Sequence, residues 1–333
     1  MLRTPIAERP AQHGTCAFPH TAIKLLPIFS VIGNHRGVEH GPARGIEATP
    51  VLSIVTPVYN GEKFISGCIE CVSAQNCAGV EHVIVDGGST DGTVHILRES
   101  ARTYPHLRWI SEPDRGQSDA LNKGIRMAMA AYIGILNADD FYEPGALPRV
   151  VEILKNLPGP RFIVGACNIL MTGDKLDFVN RPRVLRFENL MMLDDKLWPF
   201  PVNPSAYFYP KAVHHIVGPY NLEEHYTMDL EFILAVVQAI EPLYVDAVLG
   251  NMRRIEGTKT FNSIRDGSAR LMQRRIRAAA WNRASLKIKI RVAFVWMPWR
   301  LYSALRNLAR VTLSGSARRW LRSRTDTVFW GRS

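Results

Sequence analysis

The chain has 333 residues, 47% of them hydrophobic and 21% charged, a composition that excludes a disordered or fibrous protein and suits one catalytic domain with appendages. Its net charge of +11 is unevenly placed: Arg270 to Ser333 holds 16 Lys or Arg against one acid, Asp326, so everything before Arg270 is net negative. No run of about eighteen apolar residues occurs, which argues against a spanning helix.

Residues 1–48, with Pro19, Pro27, Gly33, Gly37, Gly41 and Pro42, show no sustained periodicity and no secretory pattern, and are expected to form a poorly ordered leader. The five cysteines, Cys16, Cys68, Cys71, Cys77 and Cys167, are an odd set without a signal peptide, which points to reduced thiols in the cytoplasm. Cys68, Cys71 and Cys77 lack a second Cys or His pair nearby, so packing of small apolar groups accounts for them better than zinc does.

From Val51 the pattern becomes regular. Val51 to Thr56 reads as a strand stopped by Pro57, followed by a helix over Glu62 to Gln75. Glu81 to Val85 is the second strand, and Thr90 or Asp91 is placed to cap a helix carrying Val94, Ile96 and Leu97. Leu107 to Ser111, a helix over Gln117 to Ala130, and Tyr132 to Leu136 complete an alternation that predicts right-handed βαβ units and a mostly parallel sheet. Beyond Pro144 come a helix (Gly145 to Asn156), strands Phe162 to Ala166 and Ser205 to Tyr209, a helix Met228 to Ala239 and a last strand Leu243 to Val248. This mixed region is expected to finish the same domain, so residues 49–255 are read as catalytic and 256–333 as a basic, aromatic helical extension.

Four clusters close the early strands: Thr56 to Asn60, Val85 to Thr93, Glu112 to Gly116 and Leu136 to Asp140. Open α/β sheets bind ligands at that edge, so their carboxylates should gather on one crevice suited to a nucleotide and a divalent cation. A dinucleotide-binding turn would need several glycines for backbone amides to approach a pyrophosphate, whereas Pro57-Val58-Tyr59-Asn60-Gly61 has one. Pro57, Val58 and Tyr59 instead offer a wall for a base, with Asp86 placed to accept from a base N–H. Hard cations such as Mg²⁺ or Mn²⁺ take one or two carboxylates beside phosphate oxygens, which makes Asp139 the first expected metal ligand and Asp140 the second.

In this order the clusters, with Ala120-Leu121-Asn122-Lys123-Gly124, resemble the motifs of the family 2 glycosyltransferases, inverting nucleotide-sugar enzymes of the GT-A fold. The resemblance implies that Asp114, Gly116 and Asn137 join Pro57, Val58, Tyr59 and Asp86 in holding the donor. It implies a general base in Met228-Asp229-Leu230-Glu231-Phe232, with Asp229 preferred to Glu231, and an acceptor pocket near Asn203, Pro204 and Ser205. The chain departs from the pattern at Asn137, where the family usually has Asp, leaving metal ligation to Asp139 with Asp140. The expected reaction moves a sugar, a UDP-hexose by preference, to a glycan or lipid-linked hydroxyl in surface-glycan assembly. A metal-dependent nucleotidyltransferase is the alternative enzyme.

The tail interleaves Ile288, Ile290, Phe294, Trp296, Trp299 and Tyr302 with Lys287, Lys289, Arg291 and Arg300, and Pro298 should break it in two. Such a composition fits an interfacial helix on anionic lipid and predicts a peripheral enzyme at the cytoplasmic face of the membrane. A nucleic-acid-binding protein would also explain the tail, but nucleic acid is an unlikely partner because uncompensated carboxylates in the crevice repel phosphate.

Overall fold

The structure is a computed structural model that describes residues 39–40, 49–191, 200–224, 227–256, 258–294, 297–298 and 301. Apart from Glu39 and His40, the expected leader lies outside the described residues, as does the tail beyond residue 301.

The first strand, β1 (Glu39–His40), pairs with a later one, and Glu39 forms an ion pair with Arg98. β2 (Leu52–Val58) is buried along its whole length because parallel neighbours flank it and helices cover its faces. α1 (Ile65–Ala74) follows, burying Ile65, Cys68, Ile69 and Val72 on one face at helical spacing. Cys68 therefore serves as core, and burial raises its thiol pKa far above the ordinary range. No group of three or more potential metal-ligating side chains occurs among the described residues.

β3 (Val80–Asp86), α2 (Thr93–Thr103), β4 (Leu107–Ser111), α3 (Gln117–Met127) and β5 (Tyr132–Ile135) complete the parallel half, in the order β4-β3-β2-β5. α3 lies close on the sheet because Gly124 has no side chain: a Cβ there would stand 2.4 Å from Val55 Cγ1.

Beyond β5 the sheet is mixed. β6 (Phe141–Tyr142), α4 (Ala146–Asn156), β7 (Phe162–Met171), β8 (Lys175–Asn180), α5 (Phe187–Leu190), β9 (Tyr207–Pro210), α6 (His214–Val217), α7 (Met228–Ala239) and β10 (Pro242–Arg253) follow in sequence. The order continues β5-β9-β7-β10-β6, with β9 antiparallel to both neighbours, β10 parallel to β7, and β8 attached to β7. The expected parallel sheet thus holds for the first half, and antiparallel pairings dominate the second.

α8 (Lys259–Arg265) and α9 (Ser268–Arg283) precede a further helical stretch over residues 286–294. Ile276 and Val292 are buried in the same core as Phe187, Leu190 and Phe232. Arg277 Nε donates to the Leu190 carbonyl at 2.7 Å, and Arg291 pairs with the buried Glu188 at 2.6 Å. The described part of the extension thus packs on one face of the catalytic domain.

Candidate active site

The loops after β2 and β3 fasten each other. Asn60 takes a left-handed conformation (φ 49), its amide donates to Ser89 Oγ at 2.7 Å, and its Oδ1 accepts from the Thr90 amide at 2.9 Å. Gly61 N–H donates to Thr93 Oγ1 and Gly92 N–H to Glu62 Oε2. Most polar residues of the second cluster are thus used in holding two strand ends together.

Asp86 was expected to reach a base, and here it does not line the cleft. Its carboxylate is sealed from solvent and accepts from the Gly88 and Ser89 amides at 3.1 and 2.9 Å, from Ser111 Oγ at 2.7 Å, and from Ser89 Oγ. The physical reason is that the tight turn at Gly88 (φ 84) folds its own amides back onto the strand-end carboxylate. Asp114 and Gly116 likewise stand behind the cleft wall. Asp114 Oδ1 accepts from the Gly116 amide at 2.7 Å, and its Oδ2 rests where a Cβ on Gly87 would approach to 2.6 Å. Burial chiefly raises the Asp114 pKa. Lys123 pins this loop through Glu112 at 2.8 Å and the Pro113 carbonyl at 2.9 Å.

In front lies a cleft of about 1330 Å³. It gathers Pro57, Val58, Tyr59, Asn137, Asp139, Asp140, Asn203 and Asp229, side chains separated by up to about half the chain. Tyr59 is 63% exposed at its edge, available to lie against a planar ligand. Asn137 accepts from Gln117 Nε2 at 3.0 Å and donates to Asp140 Oδ2 at 3.0 Å.

The two neighbouring aspartates have different surroundings. Asp140 is buried, and its oxygens accept from Asn203 Nδ2 (2.7 Å), Asn137 Nδ2 and the Arg253 amide (3.0 Å). Asp139 is only partly buried, and its carboxylate accepts no hydrogen bond from another residue among the described residues. Desolvation raises both, and for Asp140 the neighbouring Asp139 charge adds to it. Three amide donors occupy most of the Asp140 acceptor sites, two on Oδ2 and one on Oδ1, whereas Asp139 is the more open of the two expected ligands. A single free carboxylate facing an open cleft still fits a hard cation completed by phosphate oxygens and water.

Asp229, in the first turn of α7, also lines the cleft. Tyr207 Oη donates to its Oδ1 at 2.8 Å; burial raises the carboxyl pKa and this bond lowers it in part. The segment leading to its helix is held to α3 by a two-way amide clasp, Asn122 Nδ2 to the Tyr220 carbonyl and Tyr220 N–H to Asn122 Oδ1, both 2.9 Å. Sequence reasoning missed several other lining groups: Gln117, Asn180, Thr227, Arg253, Arg265, Arg270 and Gln273. Two of these carry buried oxygens with no partner among the described residues, Asn180 Oδ1 and Thr227 Oγ1. The signal for Thr227 was its place before an apolar helix, and that signal suggests a cap, which it does not form. Arg265 and Arg270 bracket a Gly267 turn (φ 79) between α8 and α9, a placement with no motif to announce it.

A mixed sheet whose parallel half ends in loops around a carboxylate-bearing cleft is the GT-A fold. Residues 53–208 match the family model described as glycosyl transferase family 2, which identifies a domain of that family within the chain. Chondroitin synthase of Escherichia coli is 39% identical over 107 residues, 32% of this chain and 16% of the synthase, so the chain spans a small part of that relative. A PGL/p-HBAD biosynthesis glycosyltransferase of Mycobacterium bovis (strain BCG) is 29% identical over 187 residues, 56% of this chain and 69% of that one. Among solved structures, a mannosyltransferase of Pyrobaculum calidifontis in complex with GDP-Man and Mn²⁺ superposes with a TM-score of 0.53 at 21% identity, covering 85% of this chain and 82% of that one.

Proposed function

We propose that the enzyme transfers a hexosyl group from UDP-hexose to a hydroxyl of a glycan or lipid-linked acceptor, with inversion, in surface-glycan biosynthesis. The observation that carries this reading is that Asp139 and Asp229 line one cleft, from the end of β5 and the start of α7. Pro57, Val58 and Tyr59 hold the base, while Asp86, Asp114 and Gly116 fix the loops behind it. Asn137 and Asp140 orient Asp139. A Mg²⁺ or Mn²⁺ ion at Asp139, when bound, supplies positive charge against the diphosphate; the solved mannosyltransferase holding Mn²⁺ supports this choice.

Asp229 accepts the acceptor hydroxyl proton as that oxygen bonds to the anomeric carbon and the carbon–oxygen bond to the diphosphate breaks, releasing a nucleoside diphosphate. Raised above the ordinary carboxylate range by burial, it is a stronger base than a solvated aspartate. The unpartnered Asn180 Oδ1 and Thr227 Oγ1 are suited to sugar hydroxyls, which donate to both. The enzyme works peripherally at the cytoplasmic face of the membrane, where lipid-linked acceptors are presented.

The test is a screen of UDP- and GDP-sugars for transfer or hydrolysis with Mg²⁺ or Mn²⁺, beside Asp139→Ala and Asp229→Asn. Asp139→Ala should lose metal-dependent donor binding. Asp229→Asn should keep donor binding and lose transfer by about 10²–10⁴-fold. Normal transfer by Asp229→Asn would overturn the base assignment, and pyrophosphate release from a nucleoside triphosphate would favour a nucleotidyltransferase.

A further inference from the structure

The helical stretch that begins at residue 286 carries two apolar faces. Ile288 and Val292, four residues apart, turn inward, with Val292 buried in the core shared with α5 and α7. Leu286, Ile290 and Phe294 follow spacings of four within the stretch 286–294, which keeps them on one line and opposite the inward pair, and Met297 and Leu301 come after them in the chain. All five are exposed, Leu286 by 74% and Phe294 by 77%. A helix buried on one side and apolar on the other has an unsatisfied surface.

Its charges indicate what covers it. Lys287 and Arg291 border the stripe on one side and Lys289 on the other. Arg291 is engaged by Glu188, and Lys289 Nζ stands 5.9 Å from the Trp281 ring centre, so both are held in place beside the stripe. A second copy of the chain meeting this line about a twofold axis would bring these cations together with the basic remainder of both tails. Anionic headgroups would instead neutralise Lys287 and Lys289, the bordering cations not already paired with a carboxylate as Arg291 is, while the stripe entered the acyl boundary. No helix among the described residues is long and apolar enough to cross a membrane.

We infer that Leu286, Ile290, Phe294, Met297 and Leu301 form a lipid-docking stripe that seats the catalytic domain on anionic membrane. The inference deepens the placement of the enzyme at the membrane and rests on the proposed function only for the identity of its acceptor; the surface itself is separable from catalysis.

The full chain is floated with phosphatidylglycerol-containing and with pure phosphatidylcholine vesicles, beside the doubly substituted Ile290→Ser, Phe294→Ser chain, which retains every charge. The unmodified protein should float with anionic vesicles only, and the double variant should bind at least about tenfold more weakly at physiological salt, with unchanged thermal unfolding. Equal binding by the two chains, or no binding by the unmodified one, would overturn the stripe. So would a dimer in lipid-free solution that the double variant abolishes. Donor hydrolysis without lipid, run in parallel, should be equal in both chains; its absence from both, with flotation as expected, would count against the enzyme reading and leave the surface standing.

Discussion

Thr227 precedes α7 at the N-cap, where a threonine hydroxyl ordinarily accepts from a helix amide, yet its Oγ1 is buried and unpaired at the cleft. Replacing a working cap costs about 1 kcal/mol, but no such bond exists to lose here. Thr227→Val should therefore change unfolding free energy by less than about 0.5 kcal/mol while raising KM for the donor or acceptor roughly tenfold, as expected when a sugar hydroxyl loses its partner. A urea titration beside steady-state kinetics checks both halves. Tyr207 offers a second test. Burial raises the Asp229 pKa and the Tyr207 hydroxyl opposes that rise by stabilising the carboxylate. Removing the hydroxyl in Tyr207→Phe must raise the pKa further, so a larger fraction of the base is protonated at a given pH. The acid limb of kcat/KM should move to higher pH, and a limb that stays in place would dissociate Asp229 from it. Asp86, Asp114, Asp139 and Asp140 were legible in the sequence, since each ends or follows a strand, whereas Asp229, in the first turn of a helix, was reached only through the family resemblance. Their division of labour was not, because Asp86 is filled by Ser111 and Asp140 by Asn203, partners 25 and 63 residues away that no local pattern links to them.

At the scale of elements, α3 connects the two halves of the site. Its first residue, Gln117, holds Asn137, its Asn122 clasps the segment leading to Asp229, and its Gly124 lets it lie close on β2. In Gly124→Ala the new methyl would stand 2.4 Å from Val55 Cγ1 and 3.3 Å from Val85 Cγ2, both in buried strands that cannot yield freely. The helix must lift, at a cost of about 1–3 kcal/mol read from the denaturant midpoint. Adding Val55→Ala should recover part of that loss, because it removes the atom first met. Strands β2 to β5 and helix α3 were readable from apolar runs ended by turn residues. The last strand was only half readable: Leu243 to Val248 has the alternation, whereas β10 continues to Arg253 through Gly250 and Asn251 because β7 and β6 supply partners on both sides. That continuation brings Arg253 to the cleft, so a site residue was hidden by a strand whose polar end is stabilised only by pairing.

For the whole molecule, the decisive question is whether the catalytic domain stands without its basic extension. The described extension seals the core at Ile276 and Val292, neutralises Glu188 through Arg291, and contributes Arg265, Arg270 and Gln273 to the cleft. Fully burying two such aliphatic side chains is worth about 1.5–3 kcal/mol each, a large share of the roughly 5–15 kcal/mol that holds a domain folded. A chain ending after Glu256 should consequently unfold at much lower denaturant, or fail to accumulate in soluble form, and should lose donor binding with it. A chain ending after Leu301 keeps every described contact of the extension and should melt like the full protein and bind donor equally well, while losing the part of anionic-vesicle binding that depends on the later arginines. Calorimetry and a donor titration on the three lengths decide the matter: if the shortest chain melted as the full one does, the core would close without α9, and residues 258–294 would be an accessory to the enzyme rather than one of its walls.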